Sequence, residues 1–196
     1  KESDTIYCEK NMVAIEEKKG MIAYGDEAFD MHEKAPANIE VLYPMSFGTV
    51  ASITYMQDFL RAFLESHTKG NLKGAEFLVA LPTDVQDRVF TTLVHGTGLK
   101  SKNIQLIDKP VAAGLGLGLD VTQAQGVMVV DVGADTTEIS ILSLGGTVTS
   151  KLIKTGGNKI DEAISSAIRR EYGYFIGNKT AEILKNELGY MPGNTE

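Results

Sequence analysis

The sequence is poor in the features that mark secreted and membrane-spanning proteins. It contains a single cysteine, Cys8, so no intramolecular disulfide can form. We expect Cys8 to be a buried free thiol in a protein of a reducing compartment. No apolar run approaches the roughly 20 residues that span a bilayer. We predict no signal peptide, because residues 1–4 carry mixed charge and no apolar segment follows them.

The chain also lacks an excess of positive charge. Its 26 acidic residues outnumber its 19 basic residues, which gives a formal net charge of −7 at pH 7. Binding to nucleic acid needs a basic face that replaces condensed counterions, and purely electrostatic binding to anionic lipid needs one too. The composition is otherwise ordinary, with 43% hydrophobic residues. We therefore expect a cytoplasmic globular protein of one or two compact units that binds no nucleic acid.

The hydrophobic pattern predicts an α/β protein. In the first part of the chain it predicts a hairpin of strands 12–15 and 21–24, an amphipathic helix over 54–65, a buried parallel strand at 77–81 and a helix capped by Thr83 or Asp84. After residue 122 the pattern changes to three closely spaced strands and two helices. The strands are expected at 127–130, 138–142 and 147–150, with Gly145 and Gly146 as the second turn. The helices are expected from about 159 and 180, the second with Ala181, Leu184 and Leu188 facing inward.

The connection between the first two of these later strands has the sequence Asp-Val-Gly-Ala-Asp-Thr-Thr-Glu, beginning at Asp131. The small residues Gly133 and Ala134 leave room for backbone N–H groups to converge on an anion. The Asp131 carboxylate could hold Mg²⁺ through its water shell. The hydroxyls of Thr136 and Thr137 could orient a water or contact phosphate. An ordinary hairpin with Asp and Gly turn residues explains the same spacing, so the spacing alone leaves both interpretations open.

Residues 129–138 resemble the second phosphate motif of the actin, sugar kinase and heat-shock chaperone superfamily. Downstream, Gly-Gly-Asn-Lys-Ile-Asp-Glu-Ala-Ile at 156–164 and Ile-Gly-x-x-Thr-Ala-Glu-x-x-Lys within 176–189 closely resemble the MreB family of rod shape-determining proteins. Three upstream stretches match the same family's pattern: residues 25–28, 36–39 and 43–45. The similarity covers the chain from about residue 12 to residue 189.

This resemblance implies an actin-like two-lobed ATPase fold, with ribonuclease-H-like cores and inserted small subdomains, of which the chain is an incomplete part. The first lobe would comprise a small subdomain at 5–43 and a core at 44–122. The second would comprise a core at 123–156 and the start of a small subdomain at 157–196. The implied function is a cell-shape-determining cytoskeletal protein that binds ATP and Mg²⁺ in an interlobe cleft and polymerises into filaments.

The same resemblance implies the site residues. Those expected to contact the nucleotide are Asp131, Gly133, Ala134, Asp135, Thr136, Thr137, Gly157, Glu182 and Lys185. Asp131 would hold Mg²⁺ through water, and Thr136 would position the attacking water. Glu182 and Lys185 would face the nucleoside, although without the resemblance a solvated helix face would explain both residues better.

Two residues depart from the family pattern at positions that the resemblance assigns to ATP hydrolysis. Lys109 stands before Pro110 where the family usually carries the glutamate that activates water, and a charged lysine cannot accept a proton. Asp135 stands where the family has glycine beside the phosphates. We expect a Lys109–Asp135 pair, worth about 4 kcal/mol at 4 Å before desolvation, and slow or lost hydrolysis. The family's first phosphate loop is expected before Lys1, and its final adenine-side segment after Glu196.

The resemblance implies further copies of the chain as partners, with the cell-wall synthesis machinery and the inner membrane surface as candidates. The loop at 71–74 offers one large apolar residue, Leu72, too little for stable anchoring without avidity along a filament. Two alternatives remain open. One is a reactivating chaperone of the same superfamily, such as those serving ethanolamine ammonia-lyase. The other is a pseudo-enzyme scaffold that binds partners without ATP.

Overall fold

The computed structural model describes residues 6–32, 34–68, 74–83, 85–98 and 103–190. The chain divides into two compact units, residues 1–121 and 122–196. Among the described residues, no helix is long and apolar enough to cross a membrane. The loop at 71–73 and the proposed capping residue Asp84 lie outside the described residues.

The first unit begins with a three-stranded antiparallel sheet in the order β2-β1-β3. Its strands are β1 (Val13–Glu16), β2 (Gly20–Tyr24) and β3 (Ile39–Leu42), and helix α1 (Gly25–Met31) connects β2 to β3. The predicted hairpin of β1 and β2 is confirmed, with a register shift between Ala14 and Ile15. Two short strands follow as a second hairpin: β4 (Met45–Ser46) and β5 (Thr49–Val50).

Strand β1 is buried on both faces because a helix packs on each side. Met12 and Ala14 contact Ala28 of α1, whereas Val13 and Ile15 on the opposite face contact Phe59. Phe59 lies on helix α2 (Ile53–Thr68), the predicted amphipathic helix. The period-2 alternation of a strand therefore divides one short apolar run between two packing layers.

The remainder of the first unit is a parallel β-α-β connection followed by a helix. Strands β6 (Glu76–Leu81) and β7 (Asn103–Asp108) pair in parallel on either side of helix α3 (Asp87–Gly96) in the chain. Helix α4 (Lys109–Gly116) follows β7 directly and carries a proline in its first turn. The parallel pairing confirms the α/β prediction for this part of the chain.

The second unit opens with an antiparallel meander in the order β10-β9-β8. Its strands are β8 (Val127–Val132), β9 (Thr137–Ser143) and β10 (Gly146–Ile153). Helices α5 (Gly157–Tyr172) and α6 (Asn178–Leu188) follow and pack against each other. One face of the meander buries residues such as Val129 and Ser140, which are paired across β8 and β9. The three predicted strands and both predicted helices are present.

Four local expectations were wrong. Cys8 is free but exposed, and it lies in a segment without regular secondary structure before β1. Helix α3 begins at Asp87 after Gln86, later than the predicted cap. Strand β6 is not buried throughout, since Leu78 is 65% exposed. Leu188, expected to face inward, is 69% exposed at the end of α6. For β6 and α6, the sequence pattern predicted the element but not how much of it is exposed.

The turn between β9 and β10 also differs from the prediction. Gly146 pairs with Ser143, so the turn residues are Leu144 and Gly145, not Gly145 and Gly146. Both turn residues have positive φ, 53° and 80°, as a two-residue primed hairpin requires. The left-handed conformation is costly for a leucine, and Leu144 is 75% exposed. The hairpin therefore carries local strain that no buried contact of the leucine side chain offsets.

Replacing Leu144 with asparagine should stabilise the protein, because asparagine tolerates the left-handed conformation and little apolar burial is lost. We expect the free energy of unfolding to rise by about 1 kcal/mol, measured by chemical denaturation. Gly145→Ala is the matched control at the neighbouring position and should lower it, since φ is 80° there. A Leu144→Asn variant no more stable than the parent would contradict the assignment of strain to this residue.

Candidate functional site

The candidate site is built on the hairpin that connects β8 to β9. Asp131 pairs with Glu138, and Val132 with Thr137, so the strands stay in register up to the turn of residues 133–136. The turn is closed by the N–H of Gly133, which donates to the carbonyl of Thr136 at 2.8 Å. Six of the predicted site residues, from Asp131 to Thr137, therefore lie on one short connection.

The turn lies on the N-terminus of helix α5. The first N–H groups of a helix have no partner within the helix. Here the N–H of Gly157 donates to the carbonyl of Gly133 at 3.0 Å, and the N–H of Asn158 donates to the carbonyl of Ala134 at 2.8 Å. No side chain caps α5 at Gly156. The backbone of the hairpin thus takes the place of a side-chain cap.

Glycine is required at position 156 by this close approach. A Cβ there would lie 2.4 Å from the Gly133 carbonyl oxygen and 2.6 Å from that of Ala134. Both contacts are with backbone atoms, which cannot move without separating the hairpin from the helix. At Gly157, in contrast, the nearest atom to an added Cβ is the Lys185 Nζ at 3.2 Å, the end of a flexible side chain.

Two side-chain hydrogen bonds reinforce the junction. The Asn158 Nδ2 donates to the Asp135 Oδ1 at 2.7 Å. The Thr137 hydroxyl donates to the carbonyl of Thr155 at 2.8 Å, in the segment before α5. Asp135 and Thr137 are both predicted site residues. Each uses a side-chain hydrogen bond to hold the hairpin to α5 or to the segment before it.

A buried ion pair connects α5 to α6. The Lys185 Nζ lies 2.9 Å from both carboxylate oxygens of Asp161, and 3.4 Å from the Gly157 carbonyl oxygen. The Asp161 side chain is 7% exposed and that of Lys185 is 23% exposed. Removing one member of such a pair costs roughly 3–5 kcal/mol, because the other charge stays buried. Lys185 is therefore partly buried and bound to α5, and does not lie on a fully solvated helix face.

The structure brings most predicted site residues of the second unit together. Gly157 bonds to the hairpin, and Lys185 reaches the carbonyl of Gly157. Glu182 lies one turn before Lys185 on α6, and Ala181 beside it is fully buried. Lys109 belongs to the first unit, where it is the first residue of α4.

Three residues of this junction are absent from the predicted site: Gly156, Asn158 and Asp161. All three lie within the motif at 156–164, which resembles the MreB family. The sequence therefore contained a signal for them. Their roles could not be assigned, because each depends on a partner more than 20 positions away in the chain: Gly133, Asp135 or Lys185.

The donor set fits a hydrated magnesium ion better than a protein-enclosed metal. Asp131, partly exposed, lies directly opposite Glu138, which is 2% exposed, so two carboxylates face each other across the strands. Within the described part of the chain, no three His, Cys, Asp or Glu side chains are grouped to hold a metal ion. Mg²⁺ bound through water and phosphate needs no such cage.

The contact at Gly156 gives a direct test of the junction. Gly156→Ala should lower the free energy of unfolding by about 2–4 kcal/mol, within the range of severe packing substitutions, because its Cβ meets two carbonyl oxygens. Gly157→Ala is the matched control, and should cost much less because the added Cβ meets only the end of the Lys185 side chain, which must move by a few tenths of an ångström. Both are measured by chemical denaturation. Equal effects of the two variants would contradict the seating of the hairpin on α5.

Comparison with known proteins places this geometry in a family. Escherichia coli (strain K12) cell shape-determining protein MreB is 36% identical over 191 residues, which are 92% of this chain and 54% of that protein. MreB5 of Spiroplasma citri bound to ADP matches with a TM-score of 0.82 and 31% identity, over 92% of this chain and 55% of that one. A MamK double helical filament matches in fold alone, with a TM-score of 0.74 and 20% identity, over 96% of this chain and 60% of that one.

These matches confirm the predicted actin-like α/β fold. The chain spans about half the length of the curated relatives that it matches. The family model described as MreB/Mbl protein matches residues 1–196, the whole of the sequence. The chain therefore belongs to the MreB/Mbl family.

Proposed function

We propose that the protein containing this chain is a cell-shape-determining cytoskeletal protein that binds ATP with Mg²⁺ and polymerises into filaments. The observation that carries the proposal is the family match along the entire chain. It is supported by two relatives: E. coli MreB is a cell shape-determining protein, and MreB5 of S. citri is bound to ADP.

The hairpin junction is the proposed phosphate-binding part of the nucleotide site. Asp131 holds Mg²⁺ through water, and the turn at Gly133, Ala134 and Asp135 approaches the phosphates. Thr136 positions the water that attacks. The small residues Gly133 and Ala134 support this assignment, because they let backbone N–H groups approach an anion closely, and the bonds to α5 hold the turn in place. The remaining proposed contacts are made by Thr137, Gly157, Glu182 and Lys185.

Self-association is the proposed mode of action, and the MamK filament of similar fold supports it. The proposed location is the cytoplasm, with the cell-wall synthesis machinery and the inner membrane surface as candidate partners. With a net charge of −7, binding to an anionic membrane needs apolar contacts repeated along a filament. The proposed subdomains are residues 5–43, 44–122, 123–156 and 157–196.

Hydrolysis is proposed to be weak. Lys109 begins α4, where a carboxylate would serve as the base, and a lysine ammonium has no lone pair for a proton. Asp135 adds a negative charge to a turn that already lies between Asp131 and Glu138. Lys109 and Asp135 are therefore proposed to slow the attack of water on the phosphate. The backbone contacts proposed to bind the nucleotide do not depend on either side chain.

The proposal of an ATP-dependent filament is tested by sedimentation of the complete protein with ATP, with ADP and without nucleotide. We expect pelleting that requires nucleotide. Complexes that pellet equally in its absence would favour the pseudo-enzyme scaffold. A protein that binds nucleotide but never pellets, alone or on lipid vesicles, would favour the chaperone alternative and contradict the filament proposal.

The proposed loss of the catalytic base is tested by phosphate release from the complete protein. Lys109→Glu should raise turnover at least about tenfold, because a positioned base contributes roughly 10²–10⁴-fold. A glutamate in the first turn of α4 also suits the helix dipole, so the fold should tolerate it. Lys109→Gln is the control that removes the cation without adding a base, and should raise turnover much less. High turnover by the parent, unchanged in Lys109→Glu, would overturn the proposal.

A further inference from the structure

Asn158 binds two consecutive residues of the turn at 133–136. Its backbone N–H donates to the carbonyl of Ala134 at 2.8 Å, and its side-chain Nδ2 donates to the Asp135 Oδ1 at 2.7 Å. A hydrogen bond to a carboxylate is stronger than one between neutral groups. With its amide nitrogen bonded to Asp135 and its main chain bonded to Ala134, Asn158 fixes both the turn and the direction of the Asp135 side chain.

Helix α5 offers a favourable place for that carboxylate. The N-terminus of a helix carries partial positive charge, and α5 has no acidic residue of its own in its first turn. Asp135, supplied by the hairpin, brings a negative charge to this end of the helix through Asn158. Both the hydrogen bond and the dipole thus draw the Asp135 carboxylate toward α5.

We infer that Asn158 is a positioning residue that makes Asp135 compatible with a triphosphate in the turn. The inference rests on the proposed nucleotide binding. By holding the carboxylate on α5, Asn158 keeps its negative charge from turning toward the terminal phosphate. Without the Asn158 amide, the Asp135 carboxylate loses its bond to α5, so it can turn toward the nucleotide and repels the more highly charged nucleotide more strongly. Asn158 therefore sets the preference of the site between ATP and ADP.

The test measures the dissociation constants of ATP and ADP with Mg²⁺ for the complete protein and three variants. Asn158→Ala should weaken ATP binding about tenfold more than ADP binding, a modest effect for a partly screened charge. In the double variant Asp135→Gly with Asn158→Ala, this additional loss for ATP should disappear, because the charge is gone. The exchange Asp135→Asn with Asn158→Asp keeps a donor, an acceptor and the net charge, and should keep the parental ATP-to-ADP ratio.

A purely structural role for Asn158 predicts a different result. It would lower the melting temperature of Asn158→Ala while leaving the ATP-to-ADP ratio unchanged, and that outcome overturns the inference. A ratio that changes equally with and without Asp135 overturns it as well. Thermal unfolding of every variant separates loss of fold from loss of preference, and the exchange variant retains the bond if Asn158→Ala is unstable. Failure of the parent to bind either nucleotide would overturn the proposed nucleotide binding itself, and the inference with it.

Discussion

The second unit depends on the contact between the hairpin backbone and the N-terminus of α5. Two turn carbonyls accept from the first N–H groups of the helix, so one contact satisfies donors that a helix cannot satisfy internally and fixes the position of the turn. The contact is possible only because Gly156 has no side chain. A single requirement for close backbone approach therefore determines both where α5 begins and where the candidate phosphate-binding residues lie.

Helices α5 and α6 connect to this contact through one side-chain ion pair. Helix α5 carries Asp161 one turn beyond its start, and Asp161 binds Lys185 of α6. The Lys185 ammonium also donates to the carbonyl of Gly157, the residue whose N–H bonds to the hairpin. Because Lys185 is held at both points, Glu182 on the same helix has a defined distance from the turn. Residues proposed to face opposite ends of a nucleotide are thus held by one connected set of contacts.

Sequence alone predicted the elements better than their contacts. Alternating apolar residues were enough for the meander, and the helical spacing around Phe59 was enough for α2, because both patterns are local. The positions that failed depend on neighbours distant in the chain or on register. Leu144 occupies a turn position that the sequence pattern assigned to a glycine, since the register is set by the strands on either side. Asn158 was recognisable within a family-like motif, but its bond to Asp135 crosses 23 positions.

The division between backbone and side-chain contacts explains how the proposed nucleotide binding could persist where the proposed catalysis is weakened. The turn is shaped by Gly133, Gly156 and main-chain hydrogen bonds, which a substitution at position 135 leaves in place. Activation of water, in contrast, requires particular side chains, and in the proposed function Lys109 stands in the place of a carboxylate base, which a charged lysine cannot replace. A chain can therefore lose ATP hydrolysis while it keeps the backbone shape of the turn at 133–136. If filaments respond to bound nucleotide rather than to its turnover, such a loss would slow disassembly without preventing assembly.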